Sequence, residues 1–324
     1  MTNKYKLIRN NKLATDIVLV DGIGRTGKAM FGQIISSFQR VEKLRLDIEF
    51  DYLPHLYRLG KINFDAAQAM LQVSADTYLY NLMIGRSVNH RYGDATSIYK
   101  DANPDRYLLR STLLDGANIG KAVRENKPIL QELTHDAMEM ADFFFDVFKN
   151  NIKMIYLYRD PVPTIIEWAK RDFGGRIGED PTELQLCYKW KQNIVPILAH
   201  GWEDDYLKLE KMERIIGMIN YNFHSNMAGY QKLSDQRKKR VQIVKFDDLI
   251  IDPWPILEQT AKLLKTNTTE KTKPILRRER CPRKIDSAER KQQIKYILNK
   301  TKNKKYQQVF QKLIDKFDNN FWKV

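Results

Sequence analysis

The stretch Asp16–Met30, DIVLVDGIGRTGKAM, decides how the chain is read. Ile17–Val20 is a short, continuous, β-branched run with an aspartate on either side, the pattern of a buried parallel strand. Gly22–Lys28 follows as a glycine turn, and AMFGQIISSFQRV as a helix opening on that turn. Amides at such a junction converge on one point, and the helix dipole favours negative charge there. Gly22, Gly27 and Lys28 keep the nucleotide-binding spacing G-x-x-x-x-G-K, but Ala29 stands where that pattern places a Ser or Thr. That hydroxyl would hold the Mg²⁺ bridging transferred phosphates. The cradle is therefore intact and its metal ligand is absent.

Outward from this unit, KLRLDIEF predicts a second strand and residues 64–82 a helix, while 87–126 is polar and turn-rich. PILQEL is a buried strand, followed by Thr134, His135, Asp136 and a helix through Phe148. KMIYLYRD is the clearest strand, and it feeds a helix at PVPTIIEWAKRDF with Pro161 at its start, where a missing N–H costs little. Residues 182–233 read as mostly helical, VQIVKF as a further strand, and 254–265 and 285–317 as helices. Strands alternating with helices predict a three-layer α/β/α fold around a central parallel sheet, P-loop NTPase-like in its first unit. We expect one domain over residues 1–324, with a basic helical part from about 271.

With 324 residues and 43% hydrophobic side chains, the chain can bury a core without metal or disulfide staples. Cys187 and Cys281 are far apart and near no metal-ligand partners, which argues against a zinc site or disulfide framework. The basic start is interrupted by Asp16 and Asp21 and lacks a small-residue cleavage pattern, and no apolar run approaches the roughly 20 residues of a membrane span. A soluble, cytoplasmic protein is expected. Of the net charge of +15, a block from Lys271 to Lys305 holds fourteen Lys/Arg against Glu279, Asp286 and Glu289. It reads either as an anion-binding surface or as the solvated faces of helices.

Three stretches together resemble the PAPS-dependent sulfotransferases. GIGRTGKAM is similar to that family's 5′-phosphosulfate loop, with Arg25 at its basic position, and KMIYLYRDPVPTIIEW to its 3′-phosphate strand and helix, with Arg159 in an R-[DN]-P setting. VQIVKFDDLIIDPWPIL is similar to its late strand and continuation, so the resemblance covers roughly residues 15–265. It implies a donor whose phosphates are held without a metal: 3′-phosphoadenylyl sulfate (PAPS), with PAP as product. Arg25 would meet the leaving oxygen, amides from Gly24 through Thr26 and Gly27 to Ala29 the 5′-phosphate, and Lys28 would add a second cation. A late basic loop is implied as well, and ILRRERCPRK offers Arg277 and Arg278 among its arginines.

An acceptor hydroxyl or amine needs a base. His135 ends a strand 24 residues before Arg159, as the catalytic histidine of the resembling family does; Glu49 in LDIEFDYLPHL is a rival carboxylate. The sequence departs from the family at Glu167, where a serine would face the 3′-phosphate; pairing with Arg171 four residues on, or the Thr164 hydroxyl one turn earlier, would relieve the clash. The 87–126 and 182–233 segments are expected to face the acceptor, a glycan or small molecule. The alternatives are a P-loop kinase or NTPase, which Ala29 disfavours, and a non-catalytic polyanion binder working through the basic block; nucleic acid ranks last for want of an accompanying motif.

Overall fold

In the computed structural model, residues 5–113, 116–285, 287–320 and 322 are described. Four parallel strands form the central sheet: β1 (Ile17–Asp21), β2 (Leu130–Leu133), β3 (Ile152–Tyr158) and β6 (Val241–Lys245), in the order β2-β1-β3-β6. Register pairs Val20 with Leu133 and Ile155, and Tyr158 with Lys245. Successive β1 side chains enter opposite cores: Ile17 and Leu19 join one apolar cluster, Val18 and Val20 the other. A strand apolar at every position is thereby explained, because both faces of the sheet are covered.

On the Val18 face lie α1 (Lys28–Ile35), α7 (Phe246–Ile251), α8 (Pro253–Leu264) and α9 (Thr272–Arg278). The Ile17 face carries α2 (Ile48–Arg58), α3 (Phe64–Met83), α4 (Ala141–Phe148), α5 (Pro161–Lys170) and α6 (Lys211–Lys232), with α10 (Ser287–Lys300) and α11 (Lys304–Asp318) packed outside them. This is the three-layer arrangement expected from the alternation. No helix among the described residues is long and apolar enough to cross a membrane.

Two elements differ from the sequence reading. KLRLDIEF is not a strand: Val41 and Arg45 make single parallel bridges to Ile129 and Glu132 along the edge of β2, and the chain then turns into α2. Asp47 starts that helix, held by the Arg45 guanidinium at 2.7 and 2.9 Å, and Glu49 and Asp51 fill its first turn, where the dipole favours acids. Nor is 182–233 helical throughout. Cys187–Trp190 (β4) and Asn193–Pro196 (β5) form an antiparallel hairpin, rich in aromatic and β-branched residues and turned at Lys191 with φ 54°. The helical reading holds from Lys211 onward.

Part of the basic block is spent on the chain itself. Arg290 binds Asp160 and Asp318, Lys302 binds Glu210, and Lys305 binds Asp205, so α10 and α11 are fastened by these cations to the layer beneath.

Candidate active site

All the chemistry-bearing segments leave the sheet at the carboxyl ends of its strands: Gly22–Lys28 after β1, Thr134–Asp136 after β2, Arg159 after β3 and Phe246 after β6. That edge is where parallel α/β sheets gather ligands. It holds a cavity of about 560 Å³.

The turn after β1 is built as a cradle. Gly22 lies at φ 144°, where a Cβ would meet Leu157 O at 2.3 Å, and at Gly27, φ 92°, a Cβ would meet the Phe246 ring at 2.3 Å. No L side chain is accommodated at either position. Arg25 itself sits at φ 74°, a left-handed conformation that non-glycine residues adopt at a cost, and this presents its guanidinium beside the cavity. The amides of Gly27, Lys28 and Ala29, at the start of α1, have no acceptor among the described residues. Trp168 Nε1 donates to Gly24 O at 2.9 Å and supports the loop from below.

Lys28 does not point outward. Its ammonium is buried, donating to Gly22 O at 2.6 Å and to Thr134 O, so it ties the loop to the segment after β2. Burial pulls its pKa down to about 8, against the opposing pull of Asp21, Asp51 and Asp136. Asp21, also buried, accepts from Thr134 Oγ1 and from the amides of Ala137 and Met138, fixing the same segment from the other side.

His135 stands on that fixed segment. Its amide donates to Asp51 Oδ1 at 2.9 Å, and its Nδ1 lies 2.9 Å from Asp51 Oδ2, leaving Nε2 without a partner among the described residues. Burial raises the Asp51 carboxyl, but the nearby imidazole and its hydrogen bonds outweigh this and hold it below the usual carboxylate range. A carboxylate on one ring nitrogen and a cavity at the other is the geometry of an oriented base. Of the two acids in LDIEFDYLPHL the sequence reading preferred Glu49 to Asp51, although a signal for Asp51 was present: read as a helix, the stretch puts Asp51 and His55 on one face, four residues apart. The rival Glu49 lies beside Tyr78 rather than in the cavity.

Arg159 donates to Arg25 O at 3.2 Å and stacks on Phe246, 4.8 Å from its centroid; Arg283 lies 5.6 Å from the same ring. Burial lowers the Arg159 pKa, with Asp247 and Glu167 opposing it. Glu167 is engaged by Lys170 at 3.1 Å and by Arg25 at 3.8 Å, not by Arg171 as the helical spacing suggested. Arg171 instead lies close enough to Arg25 to depress its pKa further, after burial.

The cavity thus brings together Gly24, Arg25, Gly27, Lys28, Ala29, His135 and Arg159. Thr26 and Thr164 are buried outside it, their hydroxyls donating at 2.8 Å to Ile23 O and Asp160 O. Arg277 and Arg278 also lie outside it. Arg278 is committed to Glu279, Gln33 and Lys100 O, and the arginine of the late loop that reaches the cavity is Arg283. The 87–126 segment contributes no described residue to the lining, because it packs outside β2, where Tyr107 and Arg110 close over Glu42. The hairpin region does contribute, through Leu184, Gln185, Ile197 and Leu198. Among the described residues no His/Cys/Asp/Glu group is arranged to hold a metal ion.

No family model and no curated protein matches the chain. Among solved structures it is similar to the sulfotransferase domain of the Synechococcus PCC 7002 olefin synthase, at 11% identity and TM-score 0.44 over 98% of each chain. It is also similar to a sulfotransferase from Mycobacterium avium (10%, TM-score 0.40, 90% of this chain and 78% of that one) and to one from Alicyclobacillus acidocaldarius (9%, TM-score 0.36, 92% and 95%). The case for a function rests on the cavity itself.

Proposed function

We propose that this chain is a sulfotransferase that moves the sulfuryl group of PAPS onto an acceptor hydroxyl or amine, releasing PAP. The observation that carries this is one cavity holding an anion cradle with alanine in place of the metal-binding hydroxyl, two arginines beside it, and a carboxylate-anchored histidine opposite. The donor supplies an electrophilic sulfur; this chain supplies the groups around it. His135 Nε2 takes the acceptor proton as the acceptor atom bonds to sulfur, and Asp51 stabilises the resulting imidazolium. The sulfur–oxygen bond to the 5′-phosphate breaks, and the charge gathering on that oxygen faces Arg25 and the amides of Gly27 to Ala29. Arg159, held flat on Phe246, is aimed at the 3′-phosphate, with Arg283 beside it. Lys28 works from beneath, as a tie between cradle and base segment. The unbonded Cys187 and Cys281 suit a reducing, cytoplasmic setting.

Calorimetric titration with PAP in the absence of metal, against ATP with Mg²⁺, tests the reading, together with transfer of labelled sulfate from PAPS to a phenol panel. Metal-independent PAP binding that weakens in Arg159→Ala, with turnover lost in His135→Ala, is the expected result. Binding only of ATP with Mg²⁺ would replace it with a kinase or NTPase.

A further inference from the structure

Beyond the residues that face the donor, the cavity has two kinds of surface. Its mouth is apolar and open: Leu46, Ile48 and Leu184 line it while 45%, 51% and 67% exposed. Leu184 is held there in a left-handed conformation, φ 50°, with Tyr52 donating to its carbonyl. Ile177, Ile197 and Leu198 continue the apolar wall inward. A sugar, with hydroxyls on every face, would leave several unpaired against this wall.

Elsewhere the lining is polar and unsatisfied. His55 and Asn222 are 5% and 2% exposed and line the cavity, yet among the described residues His55 Nδ1 and Asn222 Oδ1 have no hydrogen-bond partner, nor does Asp136 Oδ1, whose other oxygen lies 4.0 Å from His55 Nε2. Buried polar atoms are seldom left so unless a ligand completes them. Burial, with Arg58 nearby, drives the His55 pKa down to about 4, so its imidazole is neutral at neutral pH, and burial among Glu139, Asp21 and Asp51 pushes the Asp136 carboxyl up. His55 lies one turn beyond Asp51 on α2, and Asp51 fixes His135, so the helix that orients the base also carries a polar atom of this patch.

We propose that the acceptor is a small, largely apolar alcohol or phenol with a second, hydrogen-bond-donating group such as a hydroxyl, received by the unsatisfied atoms of His55 and Asn222. The inference rests on the sulfotransferase reading for the word acceptor, and its test is binding, which needs no turnover. The intact protein is titrated calorimetrically with 4-hydroxybenzyl alcohol, whose second hydroxyl can donate to Asn222 Oδ1, with 4-ethylphenol and maltose, and separately with PAP. 4-Hydroxybenzyl alcohol should bind about tenfold tighter than 4-ethylphenol, and maltose far more weakly than either. Asn222→Leu should erase the difference between the phenols, and Ile48→Gln, at the exposed mouth and harmless to folding, should weaken both several-fold. Equal binding of the two phenols by the unaltered protein, preference for maltose, or indifference to Ile48→Gln overturns the inference. PAP binding with any of those failures leaves the sulfotransferase reading standing; phenol selectivity without PAP binding overturns that reading and keeps the ligand class of the cavity.

Discussion

Replacing Glu167 by serine isolates a group whose charge opposes the proposed donor. The carboxylate is 3.8 Å from the Arg25 guanidinium, and its charge reaches Arg159. A phosphate engaging these arginines therefore enters the field of Glu167. Two unit charges about 7 Å apart repel by about 2 kcal/mol at an effective dielectric near 20. The Glu167 side chain is 30% exposed, so water and salt reduce this to about 1 kcal/mol per unit of phosphate charge. For a phosphate carrying between one and two charges, Glu167→Ser should tighten PAP binding by about 1–2 kcal/mol, roughly 5- to 30-fold. Losing the exposed pairs with Lys170 and Arg25 costs the fold under about 1 kcal/mol, so the variant should remain folded. The assay is metal-free calorimetry with PAP and with ADP, which lacks the 3′-phosphate, at two salt concentrations. The gain should be larger for PAP than for ADP and should shrink at high salt. Unchanged or weaker PAP binding, or an equal gain for both nucleotides, would refute the placement of Glu167 against the 3′-phosphate.

Other perturbations follow from the same geometry. Asp51→Asn should lower kcat by about 10²–10³-fold with PAP affinity nearly unchanged, since it disturbs the orientation and charge of His135 and not the cradle; a proportional loss of PAP binding would assign Asp51 to the loop instead. Gly27→Ala places a Cβ into Phe246 at a positive φ, and should destabilise the protein by about 2–4 kcal/mol in urea while weakening PAP, because Phe246 also carries Arg159. Lys28→Met changes how stability depends on pH. With the ammonium pKa lowered from 10.5 to about 8, the unfolded chain binds more protons between those values, so this group's contribution to stability rises with pH across that window. The unfolding free energy of the unaltered protein should gain about 3 kcal/mol on that of Lys28→Met between pH 8 and 10.5; parallel curves would show that the ammonium is not desolvated.

How much of this was legible in the sequence depended on whether the signal was local. Strands buried on both faces, such as Ile17–Asp21 and Ile152–Tyr158, announce themselves as unbroken apolar runs, and the glycine turn between strand and helix is a local requirement of backbone geometry. The edge beside β2 was misread because KLRLDIEF alternates well enough for a strand; what makes it a helix from Ile48 is the Asp47 start, secured by Arg45. That single misreading hid the role of Asp51, which exists only once α2 brings it back to His135, 84 residues later in the chain. The hairpin at 187–196 was lost among the helical patterns around it. Arg283, Glu167 and Lys28 were visible as residue types, but their directions were not. Whether a cation points into a site or beneath it is decided by the carbonyls and carboxylates that other segments place around it.

Lys28 shows why that distinction matters to the chemistry. The sequence pattern places a lysine in the first turn of α1, where a nucleotide-binding loop sends it to the phosphates. Here the three acids Asp21, Asp51 and Asp136 crowd the floor behind the loop, and Lys28 is the cation among them. Were it turned toward the donor, Asp51 and Asp21 would face one another with less compensation, and the segment carrying His135 would lose the tie through Thr134 O. On the proposed reading the positive charge toward the ligand comes instead from Arg25, Arg159 and Arg283, whose guanidiniums are weakly hydrated, the last two lying over the Phe246 ring. On the sulfotransferase reading, a cradle with alanine in place of the metal-binding hydroxyl therefore keeps its purpose: the lysine ties the loop to the base segment, and the arginines are left to meet the phosphates.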